Sequence, residues 1–441
     1  MSNPIRPFLS DLTYERIPSP AIYHAKRCLY DLIGTAVAGS QSRPAGMIQR
    51  HAEDHFSAGP RAHAVPALLG GNALSVSGAA LVGGTVIDSI DAHDGQLLVK
   101  GHVGCSLLPS LVAVLETLDR PVSGTEFLTL LVAGYEIGTR CGIALHATVA
   151  DYHTSGAWGA VNCAALAAHL LKLTDQQFEH ALGIAEYHGP RSQMMRNVDY
   201  PTMLKDGSGW GAMVGISSAY QAAQGFTGAP AITVTHSSVA TYWQDLMRRW
   251  YMAEQYIKPY PVCRWAQPAI KAALSISQQP GFNANQIDYL EVHTFHEGVR
   301  LFSGVPKDSE EAQYAISFPV AAAVLTGGVS ATNVFHGFND PDLQVLTKRV
   351  RLIEHTAYNE VFPAERWAHV RIIMRDGKVY KSGPSQSLGD PHQPLSDEQM
   401  ISKYRQLCGT VWDARKTQAA LDCVLNMEQH TLDDLLGVLR A

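Results

Sequence analysis

The segment Lys258-Pro259-Tyr260-Pro261-Val262-Cys263-Arg264 stands where the character of this 441-residue sequence changes. The chain before it reads as a series of helices, and the chain after it as short strands mixed with helices. Two prolines fix the backbone dihedral φ and stiffen the segment, so we expect Lys258 and Arg264 to hold fixed positions at a cleft between two domains. The alternative is a rigid linker without a role in binding.

Residues 18–256 carry apolar side chains at helical spacing. In the first strong pattern Ser19 is a candidate N-cap and Pro20 the first helical residue. Many predicted buried positions are Ala, Gly or Ser, which lets helices pack closely and favours a bundle over a coiled coil. Further helices are predicted at 109–118, 127–144, 157–171, 175–186 and 209–223.

Strand-like segments follow at 289–295, 350–354 and 369–374, with a helical pattern at 310–325 between them. The last strand runs into Asp376-Gly377 and then 378–380, which is a strong hairpin signal. Helical periodicity returns at 397–407, 412–427 and 432–439. The sequence therefore predicts a mainly α protein: a large all-helical bundle domain of residues 1–257 and 396–441, with a smaller α+β lid domain inserted at 258–395.

Composition restricts the partners and the location. A formal net charge of −6 and a pI near 6.3 give no electrostatic reason to bind nucleic acid or an anionic membrane. Uninterrupted apolar runs stay well short of 18 residues, so no membrane span is predicted. The first residues lack a signal or transit pattern, and seven scattered cysteines suit reduced thiols. We expect a cytoplasmic protein.

Several motifs that would bind a metal or cofactor are missing. The sequence has no H-E-x-x-H pattern, no Cys/His cluster, no phosphate-binding loop and no G-x-S-x-G elbow. We therefore predict that neither a metal nor a cofactor is used, which leaves acid/base chemistry by side chains as the leading enzyme class.

Two segments place polar residues before a helix start, where free N–H groups favour a bound carboxylate. In Asp91-Ala92-His93-Asp94, followed by Gly101-His102, the acids and histidines could orient one another, or they could simply cap a loop. In Asp151-Tyr152-His153-Thr154-Ser155-Gly156 the helix start would keep His153 neutral as a base or donor, with Tyr152 as a substrate contact. The alternative is that His153 only caps the helix.

A third segment of this kind is Met203-Leu204-Lys205-Asp206-Gly207-Ser208. Lys205 is isolated from other lysines in apolar, glycine-rich sequence, where desolvation would lower its pKa; Ser208 is a further candidate contact. Arg191, with Arg196 nearby, is a candidate for a bidentate carboxylate clamp. A surface lysine and surface ion pairs are the respective alternatives.

In this order the segments resemble the MmgE/PrpD family, which includes 2-methylcitrate dehydratase, cis-aconitate decarboxylase and iminodisuccinate epimerase. The resemblance spans nearly the whole chain. It implies a homodimer with its site between a helical domain and a lid, and it implies that the family roles of an acid loop, two histidines and two lysines fall on Asp91, His102, His153, Lys205 and Lys258. The segments that carry it are 91–94 with 101–102, 133–136, 153–156, 202–205, 225–228 and 258–261.

Departures from the family pattern bear on the reaction. Gly95 ends a stretch where dehydratases and the decarboxylase read Asp-Asp-Thr, Ser208 replaces a frequent histidine, and Phe318 replaces a tyrosine. The usual histidine is also missing around Cys263, while Arg264 adds a cation for a carboxylate. Since groups suited to protonating a leaving hydroxyl are partly lost, these departures favour the epimerase members.

The sequence thus predicts cofactor-independent removal of a proton next to a carboxylate in a small di- or polycarboxylic acid, with epimerisation of iminodisuccinate stereoisomers as the leading hypothesis. Dehydration of 2-methylcitrate or a similar acid, a thiol base at Cys105, and a non-catalytic carboxylate-binding protein are the alternatives. In this scheme Lys205 and His153 transfer protons, His102 and Asp91 orient them, and carboxylates are held by Lys258, Arg264 and Arg191.

Overall fold

Helices make up most of the computed structural model, which describes residues 3–441. The α-helices in these residues are α1 (Ile5–Asp11), α2 (Ser19–Gly39), α3 (Arg43–His55), α4 (Val76–Asp88), α5 (Gly104–Leu115), α6 (Gly124–Thr148), α7 (Ser155–Leu170), α8 (Asp175–His188), α9 (Met194–Asp199), α10 (Ser208–Ala223), α11 (Ile232–Thr235), α12 (Gln267–Ser277), α13 (His296–Val299), α14 (Ser309–Gln313), α15 (Ser317–Thr326), α16 (Ala331–His336), α17 (Pro341–Thr347), α18 (Thr356–Val361), α19 (Asp397–Cys408), α20 (Ala414–Leu425) and α21 (Leu432–Arg440). The strands are β1 (Ala64–Ala67), β2 (Gly70–Ser75), β3 (Ile287–Thr294), β4 (Val350–Glu354), β5 (Ala368–Met374) and β6 (Val379–Lys381).

The prediction of a mainly α protein is confirmed, with local corrections. Ser19 is the first residue of α2 rather than its cap; the N-cap is Pro18, which offers no side-chain hydrogen bond. The helix expected at 310–325 is two helices, α14 and α15, separated at Tyr314–Ile316. The part preceding Lys258 is not all-helical either, because β1 and β2 form an antiparallel hairpin there. Its turn is Leu68-Leu69, and β2 begins with Gly70 and Gly71, both at a φ of 100° that favours glycine.

The later strands form one sheet in the order β4-β3-β5-β6. Strand β3 pairs in parallel with β4 and antiparallel with β5, while β5 and β6 form the hairpin expected at Asp376-Gly377. Gly377 takes a φ of 84°, as the turn requires. The burial of β5 alternates residue by residue, so one face of the sheet packs on helices, including α12 and α15.

Two separate hydrophobic cores organise the chain. The bundle core collects buried residues from Ile5 to Ile257 and again from Leu395 to Leu439. The sheet core collects residues from Val262 to Tyr380, together with Met194 and Val198. We call these parts the bundle unit and the sheet unit; that the sheet unit moves as a lid remains a prediction.

Helix α6 is long and apolar enough to span a membrane, but 89% of its most apolar window is buried inside the protein. Its centre also carries the buried ion pair Glu136–Arg140. Both features are those of a core helix. All seven cysteines are buried and free.

The chain passes from the bundle unit to the sheet unit and back at adjacent points. The Ile257 N–H donates to the Gly389 carbonyl at 2.9 Å, and Tyr256 pairs with Gly95 of the bundle unit. Gly389 has a φ of 91°, and a Cβ there would lie 1.8 Å from the Ile257 oxygen. The return segment must therefore have glycine at this position.

A buried lysine ties the C-terminal helices to the bundle, and its removal should destabilise the fold. Lys403 of α19 lies 2.6 Å from Asp31 of α2 and donates to the Ala92 carbonyl at 2.6 Å. Lys403→Met leaves a fully buried carboxylate unpaired, so we expect a loss of about 3–5 kcal/mol of stability, measured as a fall in the thermal midpoint. The exposed Arg415→Met in α20 should have little effect. Adding Asp31→Leu should recover most of the loss; a double variant no more stable than Lys403→Met would contradict the ion-pair explanation.

Candidate active site

A narrow cavity lies where the two cores meet, and its walls carry several buried charges. Among the larger grooves, the one around Leu9 and Leu118 is lined by no buried charged side chain, whereas another, around Thr85 and Trp210, is lined by the buried Asp88 and Lys205. The cavity is lined by Asp91, Leu97, Lys100, His102, Tyr152, Met194, Val198, Tyr256, Lys258, Cys263, Arg264, Trp265, Tyr314 and Arg366. The predicted site residues Asp91, His102, Tyr152, Lys258 and Arg264 therefore share one cavity.

Asp91 and Lys258 form a buried ion pair across the two units. Asp91 follows α4, Lys258 starts the sheet unit, and the Lys258 ammonium donates to Asp91 Oδ1. Burial alone would raise the pKa of Asp91, but the cations Lys258 and Lys205 bring that pKa below its usual value. Burial opposes the charge on Lys258 as well, yet Asp91 raises the Lys258 pKa above its usual range. Lys258 therefore stays protonated and acts as a fixed cation.

His102 presents a free basic nitrogen to the cavity. Its Nδ1 lies 2.5 Å from the Asp94 backbone carbonyl. Since a carbonyl only accepts, the proton sits on Nδ1 and Nε2 keeps its lone pair. Burial, followed by the charge of Lys258, lowers the pKa of His102. The imidazole is therefore neutral near pH 7 and can take up a proton at Nε2.

A hydrogen-bonded chain orients His102 from behind. The His102 backbone N–H donates to Ser155 Oγ at 3.0 Å, and Ser155 Oγ donates to Asp206 Oδ2 at 2.7 Å. The same Asp206 oxygen lies 3.5 Å from His102 Nε2. The His93 ring packs edge-on against His102 with centroids 4.2 Å apart. These contacts fix the plane of the imidazole and place a carboxyl group beside the nitrogen that would become charged.

Several carboxyl groups behind the cavity titrate unusually high because they are buried. Desolvation raises the pKa of Asp88 to about 6 and that of Asp94 to about 7, and it also raises the pKa of Asp206. Asp94 Oδ2 accepts a hydrogen bond from the Tyr135 hydroxyl. Asp94 is therefore partly protonated at neutral pH.

Lys205 lies behind the cavity wall rather than in it. It is buried, takes a φ of 50°, and donates to the Gln313 side-chain oxygen. Its ammonium packs 4.9 Å from the centre of the Tyr314 ring, and Tyr314 is the residue that faces the cavity. Burial lowers the pKa of Lys205, as the sequence predicts, but a substrate in this cavity would meet Tyr314 first.

His153, Arg191 and Ser208 do not line the cavity. The His153 N–H donates to His146 Nε2 at 3.1 Å and the two rings stack, whereas Arg191 is exposed near His153. The Ser208 N–H at the start of α10 donates to Asp88 at 3.1 Å. At the start of α10, the N–H group expected to bind a substrate carboxylate thus binds the protein's own carboxylate instead.

The hydroxyls and cations on the remaining walls include residues that the sequence analysis missed. Tyr152 donates its hydroxyl to the Lys100 backbone carbonyl, and Arg264 donates to Ser387 and Asp390. Lys100 precedes the segment Gly101-His102, and Tyr256 lies two residues before Lys258. Asp206 directly follows Lys205. Each could therefore have been proposed as a site residue from its neighbour in the sequence. Arg366, just before β5, has no such motif beside it in the sequence.

Among residues 3–441, potential metal ligands gather in two groups that share His93: Asp88, His93 and Cys105, and, beside the cavity, Asp91, His93 and His102. A metal ion is disfavoured at the group beside the cavity. Ligand atoms of Asp91, His93 and His102 lie within 4.8 Å of one another, and such a set can bind a divalent metal. Lys258 already binds Asp91, and the positive charges of Lys258 and Lys205 act on this group. We therefore assign it to proton transfer.

Comparison with known proteins identifies the class to which this site belongs. The MmgE/PrpD N-terminal domain matches residues 5–241, and the MmgE/PrpD C-terminal domain matches residues 260–429. The chain belongs to the MmgE/PrpD family, which confirms the resemblance seen in its motifs.

Curated relatives within this family are similar over most of their length. A cis-aconitate decarboxylase of Aspergillus terreus is 22% identical over 463 aligned residues, covering 96% of this chain and 92% of the relative. The cis-aconitate decarboxylase-like protein oryM of Aspergillus oryzae is 22% identical, with 96% and 93% covered. The human cis-aconitate decarboxylase is 23% identical over 375 residues, covering 79% of this chain and 76% of the relative.

The high pKa of Asp94 predicts a pH-dependent contribution to stability. The folded pKa of about 7 exceeds the ordinary value of 3.8, so folding favours the protonated acid. This contribution is complete below about pH 4 and is lost as the pH rises through about 7. Asp94→Asn removes the titration, so the thermal midpoint of the wild type should fall more between pH 5 and pH 8 than that of the variant. The exposed Asp119→Asn should follow the wild type; parallel curves for Asp94→Asn would reject the assignment.

Proposed function

We propose that this protein is a cofactor-independent enzyme that forms and reprotonates a carbanion next to a carboxylate in a small di- or tricarboxylic acid. The observation that carries this proposal is the position of His102 Nε2, a neutral base in a buried cavity, among Lys100, Lys258, Arg264 and Arg366. A base supplies the route for the proton, and the cations stabilise the negative charge that its removal creates.

The base step uses the tautomer that the backbone imposes. With Nδ1–H bound to the Asp94 carbonyl, Nε2 accepts the proton from the substrate carbon. The imidazolium that results lies 3.5 Å from Asp206, whose carboxyl group favours the added charge. General-base action of this kind contributes roughly 10²–10⁴-fold, so the remaining acceleration has to come from the surroundings.

Electrostatic stabilisation provides that remainder. Losing the proton spreads negative charge onto the neighbouring carboxylate, giving an enediolate-like anion. Lys258 is held in its charged form by Asp91 and is already in place before the reaction. Burial raises the pKa of Tyr256 and Tyr314, so their hydroxyls stay protonated and can donate hydrogen bonds. Preorganised donors in a site with little water act strongly on such an anion.

Two overall reactions use this anion, and each has an observation in its favour. The curated relatives are named as cis-aconitate decarboxylases, which favours a lyase, because loss of CO₂ forms the same kind of carbanion. The residues at Gly95, Ser208 and Phe318 favour epimerisation of iminodisuccinate. That second argument is weakened by the placement of Ser208 and Phe318 outside the cavity and by the three tyrosine hydroxyls within it. Both reactions begin or end with proton transfer by His102.

An isotope experiment separates these reactions. The protein is incubated in D₂O with cis-aconitate, 2-methylcitrate and each stereoisomer of iminodisuccinate, and the products are followed by NMR. We expect deuterium on a carbon next to a carboxylate in at least one acid, since the base exchanges its proton with solvent. Loss of CO₂ then indicates decarboxylation, a new C=C bond indicates dehydration, and a changed diastereomer indicates epimerisation. Binding of these acids without exchange or product would instead support a non-catalytic carboxylate-binding protein.

The two histidines give a matched pair of variants. His102→Gln removes the base that faces the cavity, so the exchange rate should fall by roughly 10²–10⁴-fold. His153→Gln changes a ring that stacks on His146 outside the cavity, so the rate should stay within a few-fold of the wild type. Thermal midpoints of both variants control for folding. If His153→Gln greatly lowers the exchange rate and His102→Gln lowers it only slightly, His153 rather than His102 is the base.

A further inference from the structure

Arg366 is a buried cation whose guanidinium lies 5.7 Å from the centre of the Phe362 ring but has no anionic partner among residues 3–441. Its side chain lines the cavity with 6% of its surface exposed. Within residues 3–441 the guanidinium makes no hydrogen bond and no ion pair, and its Nε is buried. Buried arginines are normally paired, because an uncompensated buried charge is costly. The vacant donors of Arg366 therefore point to an anionic ligand.

Lys100 brings a second such cation to the same wall. It is partly buried, takes a φ of 50°, and its ammonium packs 4.9 Å from the centre of the Tyr152 ring. The described residues offer its ammonium no hydrogen bond or ion pair. Arg366 is close enough to lower the pKa of Lys100 further, after the larger effect of burial, and only Glu297 opposes this. Two like charges held together in this way are stabilised by an anion between them.

The other two cations of the cavity are already occupied. Lys258 binds Asp91, and Arg264 binds Asp390 and Ser387. Of the four cationic side chains that line the cavity, only Lys100 and Arg366 thus remain free. Arg264 also packs on the cavity residue Tyr256, with its guanidinium 4.6 Å from the centre of the ring.

We propose that Arg366 and Lys100 form a binding site for a second substrate carboxylate, one that does not sit on the reacting carbon. The proposal rests on the function proposed above and deepens it, since it names the side chains that bind the carboxylate away from the reacting carbon. The planar guanidinium matches the two oxygens of a carboxylate, and the ammonium adds a point charge. Because Arg366 is buried and neither cation has an ion-pair partner without this ligand, the site favours acids that carry the second carboxylate.

Two ligands of equal length test the site directly. Succinate and butyrate differ in one terminal group, a carboxylate against a methyl, and their dissociation constants can be measured by NMR titration. The wild type should bind succinate more tightly than butyrate. Arg366→Gln should weaken succinate binding by about ten- to hundred-fold while leaving butyrate binding unchanged. Lys100→Met should act in the same direction, and Arg366→Lys should retain part of the preference.

A matched control is Arg375→Gln, which removes an exposed arginine from the turn after β5 and should leave both constants unchanged. Equal losses for succinate and butyrate in Arg366→Gln, or a wild type without preference, would overturn the subsite. Deuterium exchange measured on the same samples reports the proposed function separately. A preference for succinate without deuterium exchange would contradict the proposed reaction but not the carboxylate site. Deuterium exchange without a preference for succinate would contradict the carboxylate site but not the reaction.

Discussion

The ion pair between Asp91 and Lys258 is the interaction on which the cavity depends. The two side chains come from different units and are both buried, so neither charge could remain there without the other. The pair brings the start of the loop after α4 to the first residue of the sheet unit. It also keeps Lys258 charged, and that charge helps to keep His102 neutral. The same ion pair thus joins the two units and lowers the pKa of the base, His102, through the charge of Lys258.

Much of the fold could be predicted because burial imposes a period on the sequence. Helices such as α6 and α10, and strand β4, were found from periodicity, and the hairpin at Asp376-Gly377 from its turn residues. The β1–β2 hairpin was missed, since its short strands carry little alternation and its turn residues, Leu68 and Leu69, are not typical of a hairpin turn. The break between α14 and α15 was also missed, because apolar residues continue through it and tertiary packing decides where the helix ends.

The site was predictable where its residues adjoin a motif and not where tertiary contacts bring them in. Asp91, His102 and Lys258 lie in segments whose residue types already indicate proton transfer or carboxylate binding. Arg366 reaches the cavity only through the packing of the sheet unit, which spacing along the chain does not reveal. Helix starts misled the assignment of Ser208, because its N–H is taken by Asp88 of the protein itself. The sequence alone does not show which helix N-termini already bind a carboxylate of the protein itself.

The contact between Ile257 and Gly389 has a consequence for how the two units can coexist in one chain. The chain leaves the bundle unit and returns to it at neighbouring points, so the intervening residues form a closed loop whose ends already touch. The entropy cost of closing a loop grows only with the logarithm of its length, about 0.6 kcal/mol for each doubling. A long insertion between these two points therefore costs the bundle little more free energy than a short one. The helices of the bundle also need not move apart to accommodate it.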